Sequence, residues 1–154
     1  MDNATRRRLA PILEYVRTHR YAVEATVSAA DLPQAAVIGI AVDDDFGIVF
    51  DTLSDSRKAA NLRAHPEIAF VIGGLADGEE RSVQIEGVAF EPVGAELEAS
   101  RELYFTRFPD GRGRLAWPGL IHLRMKPRWL RYSDFRRSPP EIVEYDFKVD
   151  YLLG

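Results

Sequence analysis

The chain lacks cysteine altogether and has no long apolar run, and these two absences exclude several classes of protein. Without cysteine it forms no disulfide, thiolate zinc site or iron–sulfur cluster and has no cysteine nucleophile. The longest apolar stretch, Ala35–Val42, is far shorter than the roughly 20 residues that span a bilayer as a helix. The basic start at Arg6–Arg8 is similar to a signal peptide, but Glu14 and Arg17 interrupt the apolar segment that follows, and no small-residue cleavage site is present. We therefore expect a soluble, cytoplasmic protein with no membrane contact.

A strong charge of either sign is absent too. The 24 acidic and 20 basic side chains leave a formal net charge of −4, which gives no reason to expect nucleic acid as a partner. The three histidines are far apart in the sequence and show no metal-ligand spacing, so we predict no metal site. The chain has 154 residues, of which 46% are hydrophobic, and this is enough for one real core. We expect a single domain over residues 1–154.

Apolar periodicity predicts a helix followed by strands that are mostly joined by short links. Thr5–His19 has a helical apolar stripe, with Thr5 as a candidate N-cap, and Tyr21–Ser28 alternates, with its apolar side chains on one face. Gln34–Val42 is rich in β-branched residues and is predicted to be buried on both faces. The other predicted elements are the strands Phe46–Thr52, Ile68–Ile72, Ser82–Phe90, Leu120–Met125 and Trp129–Tyr132, the helices Ser56–Ala64 and Ala95–Phe105, and an edge strand or tail at Glu141–Phe147.

The order of these elements indicates the fold class. Strands do not alternate regularly with long helices, which disfavours a doubly wound parallel sheet. We predict a mainly β protein with peripheral helices, built as an antiparallel barrel of about six strands. Residues 1–20 form its N-terminal helix, and residues 136–154 form a C-terminal tail. Pro127 is expected to break the last long strand, and Gly87 is expected to mark a bulge.

The segment from Phe50 to Lys58 is chemically the most informative. A strand ends there, a polar turn follows, and a helix opens with Ser56, Arg57 and Lys58; Ser54, Asp55 or Ser56 can cap it. The first turn of a helix has unpaired N–H groups and a partial positive charge, so cations are unfavourable there unless an anion is present. A phosphate would supply that anion. The local pattern also fits solvated surface cations and a Ser56 that only caps the helix.

This segment resembles the phosphate-binding segment of the pyridoxamine 5′-phosphate oxidase-like, FMN-binding split-barrel superfamily. The matching residues, at the spacing of that superfamily, are Phe50, Thr52, Ser56, Arg57, Lys58 and Pro66. A second stretch, Arg81–Gly87, resembles the Arg-x-Val-x-x-x-Gly strand of the same superfamily. The two motifs follow in the same order and at the right separation, and the resemblance covers roughly Tyr21–Phe135.

The resemblance implies a homodimer that holds two FMN molecules in clefts between its subunits. It places Arg57 and Lys58 at the phosphate, Asp51 and Thr52 along the ribityl chain and ring, and the strand Val37–Ile40 under the isoalloxazine. Ser82 takes the place of a glutamine that contacts the flavin, and Gln84 is a candidate substitute. The predicted cofactor-binding residues are therefore Val37, Ile38, Asp51, Thr52, Ser56, Arg57, Lys58, Ser82 and Gln84. No catalytic side chain is predicted, because a flavin carries the redox chemistry itself.

Several departures from the superfamily narrow the function. Asp51 replaces an aromatic residue, and Ala41 stands where the vitamin B6 oxidases carry a lysine. After the Tyr104-Phe105 pair, Arg107 is displaced by one position and the substrate-holding serines are missing. We therefore expect a flavin-dependent oxidoreductase that acts on an unidentified small molecule other than pyridoxamine phosphate. The alternatives are a deazaflavin-dependent reductase and a non-catalytic flavin or haem binder.

Three further features have two interpretations each. His122, Arg124 and Lys126 alternate on one strand face, which suits an anion-facing or haem-ligand wall, or a polar barrel exterior. Trp117 and Trp129 suit stacking on a flavin from the partner subunit, or packing in a core or interface. The segment Asp110–Arg114 suits a loop that gates the cleft, or a plain surface loop.

Overall fold

A helix at the start of the chain is followed by strands that form one curled antiparallel sheet. The computed structural model describes residues 1–147. Its helices are α1 (Asn3–Thr18), α2 (Arg57–Ala64), α3 (Gly94–Arg107) and α4 (Gly111–Arg114). Its strands are β1 (Tyr21–Val27), β2 (Pro33–Gly39), β3 (Ala41–Val42), β4 (Ile48–Leu53), β5 (Glu67–Gly73), β6 (Arg81–Phe90), β7 (Leu120–Asp134) and β8 (Glu141–Asp146). The end of the predicted tail, 148–154, lies outside the described residues.

The strand order explains how the sheet curls into a barrel. The order is β2-β1-β5-β6-β7-β4-β3, so β2 and β3 lie at opposite ends of the sheet. Along the chain, however, only Ile40 separates them, so one bent stretch contributes to both ends. With β2 and β3 counted as one strand, the order contains six strands, and β8 is an additional strand on β7. The predicted class, a mainly β split barrel with peripheral helices, is confirmed.

The β2 strand is not buried on both faces as its composition predicts. Ile38 is buried in the core, whereas Val37 is 67% exposed. Within one chain, β2 pairs only with β1 and lies at the end of the sheet order. Side chains of adjacent strand residues point to opposite faces, so only one face of β2 reaches the barrel interior.

The last long strand is continuous, although Pro127 was expected to break it. β7 runs over 15 residues, and Pro127 faces Gly87, where the pairing of β6 and β7 shifts register between Glu86 and Gly87. A bulge accommodates a proline because the local ladder already lacks a hydrogen bond there. The bulge predicted at Gly87 is thus present, and it keeps β7 intact.

Two apolar clusters fix the helices against this sheet. Inside the barrel, Phe50 and Phe70 pack edge to face with ring centroids 5.8 Å apart, and α1 covers this core with residues that include Leu9 and Val16. The α1 helix begins earlier than predicted, because Asp2 rather than Thr5 is its N-cap, and the Asp2 carboxylate accepts a hydrogen bond from the Thr5 N–H at 2.8 Å.

Outside the barrel, α3 packs on β3 and β4. The second cluster consists of Ala41, Val49, Tyr104, Phe105 and Phe108. The β4 strand therefore serves two compartments, since its inward residues face the barrel core and its outward residues face α3. This alternation decides the location of two predicted site residues, Asp51 and Thr52.

No helix within residues 1–147 is long and apolar enough to cross a membrane. The same residues contain no group of three or more His, Asp or Glu side chains placed to hold a metal ion.

Candidate functional site

A cleft of about 490 Å³ lies between the N-terminus of α2 and the β1–β2 hairpin. It brings together Ser56, Arg57 and Lys58, three of the residues that the sequence assigns to phosphate binding. Ser56 is the N-cap of α2, and its Oγ accepts a hydrogen bond from the Ala59 N–H at 3.1 Å. The N–H groups of Arg57 and Lys58 have no acceptor within the helix, because they belong to its first turn. The cleft thus has free backbone donors as well as cations.

Hydrogen bonds hold α2 at the rim of this cleft. The buried Asn61 donates from its amide nitrogen to Thr26 Oγ1 and to Gln34 Oε1, both at 2.9 Å. These two contacts tie α2 to β1 and β2. At the other end, the hydroxyls of Thr52 and Ser56 share a hydrogen bond of 2.9 Å, which tells us that Thr52 lies beside the cleft. The geometry of the cleft is therefore set by side chains that are distant in sequence.

The cleft also contains a carboxylate that sequence reasoning missed. Glu24 lines it, and the Glu24 side chain is 3% exposed, with Oε1 at 3.5 Å from Lys58 Nζ. Glu24 Oε2 has no hydrogen-bond partner in the described residues. Burial raises the pKa of this carboxyl, and the neighbouring Lys58 ammonium opposes that rise. An available signal was the alternation of β1, which places Ala22, Glu24 and Thr26 on its buried face while the more apolar set faces outward.

Arg57 and Lys58 differ in their exposure and in whether they already have an ion-pair partner. Arg57 is exposed and makes no hydrogen bond or ion pair with the described residues. Lys58 is mostly buried and already has Glu24 as a partner. A guanidinium binds phosphate oxygens in a fork, whereas an ammonium acts as a point charge. The two cations therefore supply complementary contacts to the same cleft.

The residues predicted to contact the flavin ring lie on a different part of the sheet. Register pairs Val37 with Val23, Val23 with Val71, and Val71 with Gln84, which forms a row across four strands. Val37 and Gln84 are exposed on this row and stand three strand spacings, or about 14 Å, apart. Ile38 points into the core instead, so only its backbone is available to a ligand on that face.

Ser82 lies at the end of the same sheet region. It pairs with Gly73 on one side and with Ser133 on the other, and its side chain is half-buried. Gln84, two residues further along β6, is more exposed than Ser82. Both therefore lie apart from the residues at the α2 cleft, and their contact with a ring stays a prediction.

Asp51 occupies a third location, beneath α3. The Tyr104 hydroxyl donates to Asp51 Oδ1 at 2.9 Å, and Arg114 Nε donates to Asp51 Oδ2 at 3.2 Å. Burial and the Asp51 charge raise the pKa of Tyr104, so its hydroxyl stays protonated as a donor. The segment Asp110–Arg114 forms the short helix α4 with its N-cap, Asp110. The ion pair between Arg114 and Asp51 connects this helix to the barrel.

His122 is buried in the same compartment. It pairs with Asp51 in register, and its ring packs edge to face against Tyr104 and Phe105 at centroid distances of 5.4 and 5.7 Å. Burial lowers the pKa of His122 and keeps the ring neutral. Neither ring nitrogen has a hydrogen-bond partner in the described residues, and His122 is only 1% exposed.

His122, Arg124 and Lys126, predicted to form one polar wall, each contact different residues in the structure. Arg124 forms an ion pair with Asp43, and the Lys126 ammonium lies 4.8 Å from the centroid of the Phe90 ring. Of the two tryptophans, Trp117 is exposed and Trp129 is half-buried. The exposed Trp117 is the one that remains available to a ligand or to a partner.

Loss of the Asp51 carboxylate should destabilise the fold. We expect Asp51→Ala to lower the free energy of unfolding by about 1–3 kcal/mol, because Tyr104 and Arg114 then lose a partly buried acceptor. Denaturant unfolding measures the change. Asp110→Ala is the matched control, since it removes a 71% exposed carboxylate from the same arginine and should cost less than about 0.5 kcal/mol. Equal losses in the two variants would contradict the role assigned to Asp51.

Comparison with known proteins identifies the family. The family model described as pyridoxamine 5′-phosphate oxidase matches residues 10–118, which is most of the chain. The chain belongs to this family. It is 39% identical over 138 residues to the pyridoxine/pyridoxamine 5′-phosphate oxidase of Burkholderia multivorans, covering 83% of this chain. It spans only 62% of the length of that relative, so the activity of the longer oxidase does not transfer directly.

Solved structures share the fold of this chain. One is a pyridoxamine 5′-phosphate oxidase-related, FMN-binding protein from Nostoc punctiforme, with a TM-score of 0.64, 14% identity and coverage of 94% of this chain and 96% of that one. Another is a heme-binding protein from Mycobacterium smegmatis, with a TM-score of 0.74, 15% identity and coverage of 86% of this chain and 55% of that one. At these identities the likeness establishes the split-barrel fold alone.

Proposed function

We propose that the protein binds FMN and acts as a flavin-dependent oxidoreductase on a small molecule. The observation that carries the proposal is the cleft at the α2 N-terminus. Free backbone donors lie there together with Lys58 and with Arg57, which has no ion-pair partner in the described residues. A phosphate monoester matches this set of donors and charges. Membership of the pyridoxamine 5′-phosphate oxidase family supports a flavin as the phosphorylated ligand.

The cleft residues would hold the cofactor by its phosphate. Arg57, Lys58 and the first N–H groups of α2 supply donors, while Thr52 fixes the Ser56 hydroxyl at the rim. The ring would lie along the outer row of the sheet, near the Val37 side chain and the Ile38 backbone, with Ser82 and Gln84 as polar contacts. Bound FMN supplies hydride transfer, and the chain supplies position and exclusion of water.

The second part of the proposal is a homodimer with its cofactor clefts between the subunits. The outer row exposes apolar side chains, and the exposed apolar residues on or near this side include Tyr21, Val37 and Val71. A second copy of the chain over this row would remove them from water and enclose a flavin ring. Trp117, exposed beyond α4, is available to contribute from the partner.

The proposed substrate is not pyridoxamine 5′-phosphate. Ala41, at the position where the vitamin B6 oxidases carry a lysine, is buried against α3 and offers no charge. Tyr104 and Arg114 are donors in this compartment, but Asp51 already engages both. A substrate phosphate would have to compete with that carboxylate.

One experiment tests cofactor and assembly together. The purified protein is incubated with FMN, desalted, and passed through size-exclusion chromatography with absorbance and light-scattering detection. We expect stoichiometric FMN on a particle of twice the 17.4 kDa chain mass. A protein that retains no FMN but retains an added deazaflavin, or gains a Soret band with added haem, would contradict the FMN assignment. A monomer that retains FMN would contradict the shared cleft.

Turnover then separates an enzyme from a carrier. NADH, NADPH and pyridoxamine 5′-phosphate are each added anaerobically to the loaded protein, and the visible flavin band is followed. Bleaching by a nicotinamide donor supports the oxidoreductase proposal. Rapid bleaching by pyridoxamine 5′-phosphate would overturn the proposed substrate, and a flavin that no reductant bleaches would favour a non-catalytic flavin binder.

A further inference from the structure

Glu24 is an anionic group inside a cleft that the proposed function assigns to another anion. Its side chain is 3% exposed and reaches the cleft from β1, between Ala36 of β2 and Phe70 of β5 in the register of the sheet. Oε1 lies 3.5 Å from Lys58 Nζ, and Oε2 has no partner in the described residues. A buried, half-satisfied carboxylate therefore faces the place where a phosphate would bind.

The charges around Glu24 are few and can be named. Lys58 of α2 is the cation that acts on Glu24, and Arg57 is the other charged residue that lines the cleft. The rest of the lining is neutral: Thr26, Gln34, Ala35, Ala36 and Ser56. One carboxylate thus offsets one of two cations, and the cleft with Glu24 ionised carries a single net positive charge.

A phosphate monoester brings more negative charge than this cleft can balance. The second pKa of such a phosphate is about 6, so it is a dianion through the neutral range. When the dianion contacts Lys58, the buried Glu24 carboxylate loses its ion-pair partner and faces a like charge in a medium of low dielectric constant. Protonation of Glu24 removes both penalties, and it leaves Lys58 and Arg57 to neutralise the dianion.

We propose that Glu24 takes up a proton when a phosphate dianion binds at Lys58, so that affinity for the phosphorylated cofactor falls as the pH rises. This inference rests on the proposed function, because it concerns the same cleft. Because binding then takes up one proton, the affinity falls by up to tenfold for each unit by which the pH rises. This holds over the pH range where Glu24 is ionised in the free protein and protonated in the complex. Burial already raises the pKa of Glu24 before any ligand arrives, and the dianion raises it further.

Isothermal titration calorimetry of FMN measures the proton directly. Titrations from about pH 6.5 to about pH 8.5, in buffers of different ionisation enthalpy, give the number of protons taken up per FMN bound. For the wild-type chain we expect uptake approaching one proton and a dissociation constant that rises with pH. Glu24→Gln keeps the shape of the side chain without its charge, and we expect it to abolish the uptake and to bind FMN about tenfold more tightly at the upper pH.

Two controls separate Glu24 from general effects of charge and folding. Glu14→Gln removes an exposed carboxylate from α1 and should behave like the wild type. Riboflavin, which lacks the phosphate, should bind the wild type and Glu24→Gln equally and without proton uptake. Equal proton uptake by the wild type and Glu24→Gln would overturn the inference while leaving FMN binding intact. Failure of the wild type to bind FMN at any pH would instead overturn the proposed function.

Discussion

Replacing Arg57 and Lys58 together by alanine is expected to weaken FMN binding by about 100- to 10,000-fold. In the proposed complex each cation would make a charge-assisted hydrogen bond to the phosphate, worth roughly 1.5–3 kcal/mol, and about 1.4 kcal/mol corresponds to tenfold in affinity. Loss of Lys58 also removes the ion-pair partner of Glu24, which leaves an uncompensated carboxylate in the cleft. Fluorescence titration of FMN against the double variant and the wild type measures the change.

The controls for this variant identify the phosphate as the group that is lost. Arg7→Ala, an exposed arginine of α1, should leave FMN affinity unchanged. Riboflavin affinity should change by less than about threefold in the double variant, because riboflavin has no phosphate to lose. An unchanged affinity for FMN would show that the assignment of the phosphate to this cleft is wrong. Equal losses for FMN and riboflavin would indicate damage to the fold instead.

Phe50→Ala is expected to lower the free energy of unfolding by about 3–5 kcal/mol. Phe50 is fully buried inside the barrel and packs against Phe70, so alanine leaves a cavity where the ring was. For a chain of this length, the loss corresponds to a fall in Tm of about 10 °C. Thermal and denaturant unfolding, followed by far-UV circular dichroism, measure both quantities.

A second phenylalanine provides the matched control for this effect. Phe135 follows β7 and is 58% exposed, so Phe135→Ala removes the same ring without opening a cavity in the core. We expect a change within about 0.5 kcal/mol. Similar losses for Phe50→Ala and Phe135→Ala would contradict the inward orientation of β4 on which the whole site depends.

Much of the fold could be predicted because it depends on short-range patterns. The cap at Ser56, the end of α2 before Pro66 and the hairpin of β3 and β4 follow from residues within a few positions of each other. The glycine that marks the bulge in β6 is likewise a local signal, although the register shift itself involves Pro127 of β7. The family resemblance carried by the motifs around Lys58 and Gly87 is confirmed, and with it the split barrel.

The wrong prediction for β2 has a physical cause, which is that composition does not tell which face of a strand is covered. The outward face of β1 is the more apolar one, whereas its buried face carries Glu24 and Thr26. The exposed Val37 has the same explanation, because β2 lies at the end of the sheet order. Partners that are far away in the sequence, or on a second chain, decide whether such a face is buried.

By itself, the sequence determined the family, the order of the elements and the cluster of Ser56, Arg57 and Lys58 at the start of α2. These depend on neighbours along the chain and on local helix chemistry. Only the tertiary structure decided what faces that cluster and what does not. Sheet register and the docking of α2 place Glu24 beside Lys58, while the alternation of β4 turns Asp51 away toward Tyr104 and Arg114. Such contacts join residues 34 to 63 positions apart, and no local pattern encodes them.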